Sequence, residues 1–155
     1  MTLSPHFTVA EFAASDTAAR LGIDNSLPDE LVANAMATAM MLERIREQLS
    51  TLAGRTVPII ITSGYRCPAL NRSIGSGKTS DHITASAADF RAPAFGTPYE
   101  VCIALAPHVG DLRIGQLIFE FARWVHVSTR RPEKPVNRIL TISGRGTVPG
   151  IVEVA

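Results

Sequence analysis

Cysteine is scarce in this chain of 155 residues: Cys67 and Cys102 are the only two, and neither stands in a Cys-x-x-Cys spacing. That argues against a disulfide framework or a thiolate metal site, and two buried thiols are the plainer reading. Net charge is nearly absent as well. Lys plus Arg total 15 against 14 Asp plus Glu, so no long-range field gathers polyanions, and nucleic acid is not an expected partner. No apolar run approaches the ~20 residues of a membrane span, and residues 1–7 lack the basic and then apolar pattern of a secretory signal. The expectation is a soluble protein made in the cytoplasm, monomeric and without membrane insertion; a substrate outside the cytoplasm would require something else to carry or release it.

With 46% hydrophobic residues, a chain of this length can bury one core unaided. A single domain over 1–155 is expected, with a helical lead-in at 1–28 and a core carrying the chemistry at 57–143. Thr8 and Glu11 have the spacing of a capping box and predict a short helix, and Ser15-Asp16 offers a second cap or turn. After Pro28, the apolar residues Leu31, Ala35, Leu42, Ile45, Leu49 and Leu52 recur at helical spacing and predict a long amphipathic helix over 29–52, with Thr38 its one polar interruption. Met36, Met40 and Met41 widen the apolar face and are expected to look into the core.

Beyond Gly54 the pattern changes to short β-branched runs. Residues 57–62 read as a buried strand, 68–72 as a short helix with proline in its first turn, 75–80 as a polar loop, and 85–90 as a strand. A second helix is expected from Thr97 to about Pro107. Two apolar, aromatic-containing runs at 116–121 and 124–129 surround a tight connection, which is a hairpin signal. A last strand is expected at 139–142, with Gly144, Gly146 and Gly150 loosening the tail. Helices first and then mainly hairpin-linked strands give an α+β fold, with a small antiparallel sheet packed against the long helix and the shorter helices.

The chemistry gathers at three residues. His82 and Asp89 stand seven positions apart, and His126 follows in Trp124-Val125-His126-Val127-Ser128. Two imidazoles and a carboxylate would give zinc three protein ligands and leave one position open, the arrangement of a catalytic site. Metal-assisted hydrolysis is the chemistry they point to. Each residue alone is weak evidence, since a lone histidine is more often a surface or core residue and Asp89 alone could cap a turn. Arg66, after Ser63-Gly64-Tyr65, could bind a substrate carboxylate, polarise a carbonyl or serve a structural salt bridge. Ser80 either hydrogen-bonds substrate or holds its loop. Asp81 is either a solvated acid or a partner behind a ligand imidazole. Tyr65 and Trp124 are expected to pack in the core, and His6 and His108 lie outside every motif.

Taken in order, Ser63-Gly64-Tyr65-Arg66, Ser80-x-His82, Ala87-x-Asp89 and Trp124-Val125-His126 resemble the zinc D-alanyl-D-alanine carboxypeptidase and L-alanyl-D-glutamate endopeptidase family. The run from Phe7 to Phe12 resembles that family's phage endolysins. The resemblance implies a single zinc ion on His82, Asp89 and His126, a substrate-facing role for Arg66, and the peptide stems of bacterial peptidoglycan as substrate. It leaves open a D,D-carboxypeptidase or an L,D-endopeptidase. A phage-type lysis enzyme suits the expected lack of a signal; the alternative is a non-catalytic or weakly catalytic wall-binding or virion component that keeps the zinc-site fold.

Two positions depart from the family's pattern. Ala85 replaces a glycine: alanine is unstrained there if the backbone has negative φ and strained if it needs positive φ, and tolerance is expected. Arg123 stands three residues before His126, where many members carry the catalytic carboxylate, and it cannot accept a proton. The nearest upstream acid, Glu120, is then the expected base. It reaches the site only if the hairpin register turns it to the same face as His126.

Overall fold

Alternation along three strands explains how the molecule is layered. In Ala87–Arg91 (β4), Gln116–Glu120 (β5) and Trp124–Ser128 (β6), every second residue is apolar. Ala88, Phe90, Leu117, Phe119, Val125 and Val127 therefore all point to one face, where they join the hydrophobic core. Asp89, Glu120, Trp124 and His126 have the opposite parity and occupy the other face. The computed structural model describes residues 1–154.

The core face is covered by helices. A 3-10 turn at Asp29–Leu31 leads into the long helix α3, Val32–Ala53, after two short N-terminal helices, Val9–Ala13 (α1) and Asp16–Leu21 (α2). Ala35, Ala39, Met41, Leu42, Ile45 and Leu49 of α3 are buried, and the helix ends at Gly54 in the left-handed conformation usual for a C-terminal glycine. Thr38, the polar interruption, is also buried and donates to the Ala85 carbonyl at 2.9 Å, so its hydroxyl satisfies a main-chain group inside the core. Of the three methionines only Met41 is in the core. Met36 and Met40 are 47% and 46% exposed, because they lie outside the stripe that Ala35, Leu42 and Ile45 define. Pro98–Leu105 (α5) adds Val101, Cys102 and Leu105 to the same core.

Six strands form the main sheet in the order β3-β4-β6-β5-β7-β8, where β3 is Ile60–Ser63, β7 Ile139–Ser143 and β8 Gly146–Pro149. All its pairings are antiparallel except β5 with β7. That parallel pair and β8 were not legible from the pattern, the second because a glycine-flanked tail reads as loop. β3 is an edge strand with Ile60 48% exposed, so the expected buried strand at 57–62 is half-exposed instead. Thr2–Ser4 (β1) and Phe7–Thr8 (β2) pair as a small hairpin. The capping box of Thr8 and Glu11 is formed in both directions, and the Ser15 hydroxyl caps α2 by accepting from Ala18 N–H.

Candidate metal centre and cleft

Each site residue is fixed by backbone before its side chain is considered. Asp89 pairs with His126 across β4 and β6, and with Ser63 across β3 and β4. His82 precedes β4 in a single helical turn. Ser86 N–H donates to the Asp81 carbonyl at 2.9 Å and Ala85 N–H to His82 at 3.2 Å, the paired bonds of a helix-ending motif whose left-handed position falls on Ala85. Its φ is 57°, so of the two cases the strained one applies. A left-handed alanine costs roughly 1–2 kcal/mol, but glycine there would forgo a buried methyl worth about 0.8 kcal/mol and loosen the unfolded chain by about 0.4–1 kcal/mol. These terms cancel to within about 1 kcal/mol, so Ala85→Gly is expected to leave the urea midpoint nearly unchanged. Ala85→Val, β-branched at positive φ in a site with no exposure, should cost about 3 kcal/mol; the two midpoints, measured side by side, check the balance.

The ligand atoms of His82, Asp89 and His126 lie within 4.8 Å of one another. His126 Nδ1 is 2.8 Å from Asp89 Oδ1. His82 Nδ1 is 2.6 Å from the Gly64 carbonyl, and a carbonyl can only accept, so Nδ1 carries a proton, and when the ring is neutral it is Nε2 that presents the lone pair. That Nε2 is buried and has no hydrogen-bond partner among the described residues. It sits 3.3 Å from Asp89 Oδ1, in a geometry that makes no hydrogen bond. A lone pair aimed at a carboxylate with a second imidazole beside them is satisfied by a cation, and this donor set suits zinc. The residues present therefore fit the metal that the sequence implies.

Burial pushes the Asp89 carboxyl up, but the His82 and His126 rings outweigh it and hold it well below the usual carboxylate range. Burial also disfavours charge on His126, and the hydrogen bond and charge of Asp89 outweigh that, raising its pKa. A raised histidine stabilises the metal-free fold below its unfolded pKa and loses that contribution as pH rises through the folded value. A depressed aspartate does so above its unfolded pKa and loses it as pH falls. Metal-free protein is thus expected to be most stable at mildly acidic pH, with zinc affinity falling in that same range because the ion must displace the His126 proton. Thermal unfolding and zinc titration over the same pH series check this.

Arg66 extends over Asp89, 3.3 Å from Oδ2, with its Nε on the Ser63 hydroxyl at 3.1 Å. Burial lowers its pKa, opposed by the charges of Asp89 and Glu120. The hairpin register is settled by a three-residue connection. Glu120 pairs with Trp124 and Ile118 with His126, so Glu120, Trp124 and His126 share the cleft face. Phe121 and Ala122 take φ of 52° and 56°, and Arg123 N–H closes the turn on the Glu120 carbonyl at 3.1 Å. Glu120 Oε2 accepts from the Trp124 indole at 2.6 Å. Trp124 therefore walls the cleft instead of packing in the core, whereas Tyr65 is buried as expected. A cleft of about 530 Å³ brings together Arg66, Ser80, His82, Asp89, Glu120 and His126.

Other candidates fall elsewhere. Asp81 binds the Ser128 hydroxyl at 2.7 Å and Arg130 at 3.2 Å, which pins its loop to the end of β6 and serves neither histidine. Cys67 caps helix α4, Pro68–Ser73, and Cys102 is buried, its thiol pushed up by burial. His6 pairs with Glu43 at 2.8 Å.

Sequence reasoning missed the residues that brace the site. Buried Asn25 donates to the carbonyls of Ala13 and Tyr65 and accepts from Cys67 N–H at 2.7 Å, tying the turn that carries Arg66 to the lead-in. Asn71, also buried, donates to the Gly77 carbonyl at 3.0 Å and places its oxygen 3.5 Å from Arg66. No side-chain periodicity marks such residues. Gly64 is another such residue, since a Cβ there would collide with the Phe12 carbonyl and ring. Gly64→Ala is expected to cost about 3 kcal/mol and to weaken zinc binding roughly 10–100-fold by shifting the carbonyl behind His82; denaturant midpoints and zinc titrations check both.

Comparison with known proteins adds one match. The family model described as Peptidase M15 matches residues 5–128, a span that holds all six cleft residues just named. Among curated proteins nothing matches. Among the described residues no helix is long and apolar enough to cross a membrane.

Proposed function

The chain belongs to the peptidase M15 family and is a metallopeptidase by that membership, and from this premise we propose that it is a zinc peptidase cutting the peptide stems of bacterial peptidoglycan. The observation that carries the reading is the unpartnered, buried Nε2 of His82 facing Asp89 and His126 at the floor of a cleft walled by Glu120 and Arg66.

In this proposal His82 through Nε2, Asp89 and His126 hold the ion. A zinc ion so held would supply Lewis-acid polarisation of a carbonyl and acidify a water toward pKa ~7. Glu120 takes a proton from the attacking water and returns it to the departing amine. Its Oε2 is fixed by the Trp124 indole, which orients the carboxylate and leaves Oε1 for proton transfer. Arg66 stabilises negative charge developing on the carbonyl oxygen or clamps a substrate carboxylate, and its contacts with Ser63 and Asp89 hold it ready for either. Ser80 also lines the cleft, and its hydroxyl, which accepts from His82 N–H at 3.4 Å, is assigned to binding substrate. No side chain need become covalently attached. The run from Phe7 to Phe12, similar to that of phage members, favours a phage-type lysis enzyme over a resident carboxypeptidase.

Purified protein supplied with zinc is expected to release free amines from peptidoglycan or from synthetic stem peptides. A chelator should abolish the release and added zinc restore it. A protein that binds zinc and releases nothing from any wall preparation would instead be a wall-binding module.

A further inference from the structure

The cleft does not end at Trp124. Beyond it lies a second groove of about 450 Å³, lined by Thr62, Arg91, Pro98, Ala122, Arg123 and Trp124. Thr62 and Trp124 line both spaces, so the groove continues the cleft past the indole.

Two features give this groove a chemical character. Arg91 has the same parity on β4 as Asp89 and so lies on the cleft face one step further along the strand. The β4–β6 register, with Phe90 opposite Val125, sets Arg91 beside Trp124, on the side away from Glu120. Arg123 reaches the same groove from the hairpin turn, where two consecutive non-glycine residues hold left-handed backbone. Such strained turns persist where the surroundings enforce them. Both arginines are exposed, and neither enters an ion pair among the described residues. Elsewhere in the site Arg66 is neutralised by Asp89, so the groove is where the cleft offers uncompensated positive charge.

We propose that Arg91 and Arg123 form a carboxylate-binding subsite that recognises an acidic group of the substrate on the far side of Trp124 from Arg66. The inference rests on the peptidase reading and deepens it: the preferred substrate is an acidic peptide lying across the indole, its scissile bond over the metal centre and a free carboxylate beyond. Planar guanidinium groups suit that carboxylate by bidentate contact. Because the pair is exposed, its effect is modest and falls with added salt.

The test uses zinc-loaded full-length protein and two synthetic stem-type peptides that differ only in one carboxylate, free or converted to carboxamide, within two residues of the scissile bond. Equilibrium binding and kcat/KM are both measured. Wild type is expected to favour the free acid roughly three- to tenfold at low salt, and the preference should shrink in high salt. In Arg91→Gln/Arg123→Gln the ratio should fall to about one, and in Arg123→Glu it should invert. A wild type that does not discriminate, or a double variant that still does, overturns the subsite. If neither peptide is cut, the peptidase reading fails, and the binding ratio still decides the subsite; if neither binds, both fail.

Discussion

Glu120→Gln is expected to lower kcat by about 10²–10⁴ while the protein still takes up one zinc ion and unfolds at an unchanged midpoint. Glutamine keeps the shape and can still accept from the Trp124 indole, which Glu120 holds at 2.6 Å, so wall geometry survives and only the capacity to take a proton is lost. The size of the effect separates two accounts of this residue. A glutamate serving only to orient Trp124 would be replaced by glutamine with a few-fold change, carried mostly in KM. A loss confined to kcat, with KM and zinc stoichiometry preserved, is the signature of the proton-transfer role. Steady-state kinetics on a stem peptide, beside a zinc titration, make the distinction.

Asp89→Asn should be the most damaging single change, and on two measurements at once. The carboxylate lies 2.8 Å from His126, 3.3 Å from His82 Nε2 and 3.3 Å from Arg66, so one substitution removes a metal ligand and the counter-charge of a mostly buried guanidinium. Losing a hydrogen-bond partner behind a ligand costs about 10–100-fold in metal affinity, and losing the ligand should exceed that. Activity should fall to background at stoichiometric zinc. Independently of metal, the Arg66 charge is left uncompensated, which in a buried setting costs about 3–5 kcal/mol; some exposure of Arg66 places the expected loss toward 2–3 kcal/mol. Urea unfolding of the chelator-treated wild type and variant isolates this second effect from the metal's own contribution to stability.

Much of this site is legible along the chain because its parts lie in short motifs on regular elements. Asp89 and His126 sit on strands whose alternation is plain, and alternation alone assigns them a common face once β4 and β6 pair. The position of Glu120 needed one fact more, the length of the hairpin connection, since a one-residue change would turn it to the core face. Trp124 shows the limit from the other side. An aromatic in an apolar strand reads as core, and only its parity with His126 puts it on the cleft. The φ of Ala85 was out of reach because it is a property of the turn and not of the residue, and the local bonds that set it, from Ala85 to His82 and from Ser86 to Asp81, leave no mark in composition. Asn25 and Asn71 lay further out of reach. Their amides satisfy main-chain groups up to 42 residues away, a partnership that no local pattern encodes. β8 and the parallel pairing of β5 with β7 were missed for a related reason, since pairing partners are chosen by the folded sheet.

The central claim is that His82, Asp89 and His126 form one metal centre served by Glu120. Its most direct test is a crystal structure of the zinc-soaked protein with diffraction recorded on both sides of the zinc absorption edge. The account predicts a single anomalous peak within coordination distance, about 2.0–2.2 Å, of His82 Nε2, an Asp89 oxygen and a His126 ring nitrogen, with Glu120 Oε1 in hydrogen-bond reach of the solvent that completes the shell. An absent peak, or one bound elsewhere while His82 Nε2 stays unpartnered, would contradict it.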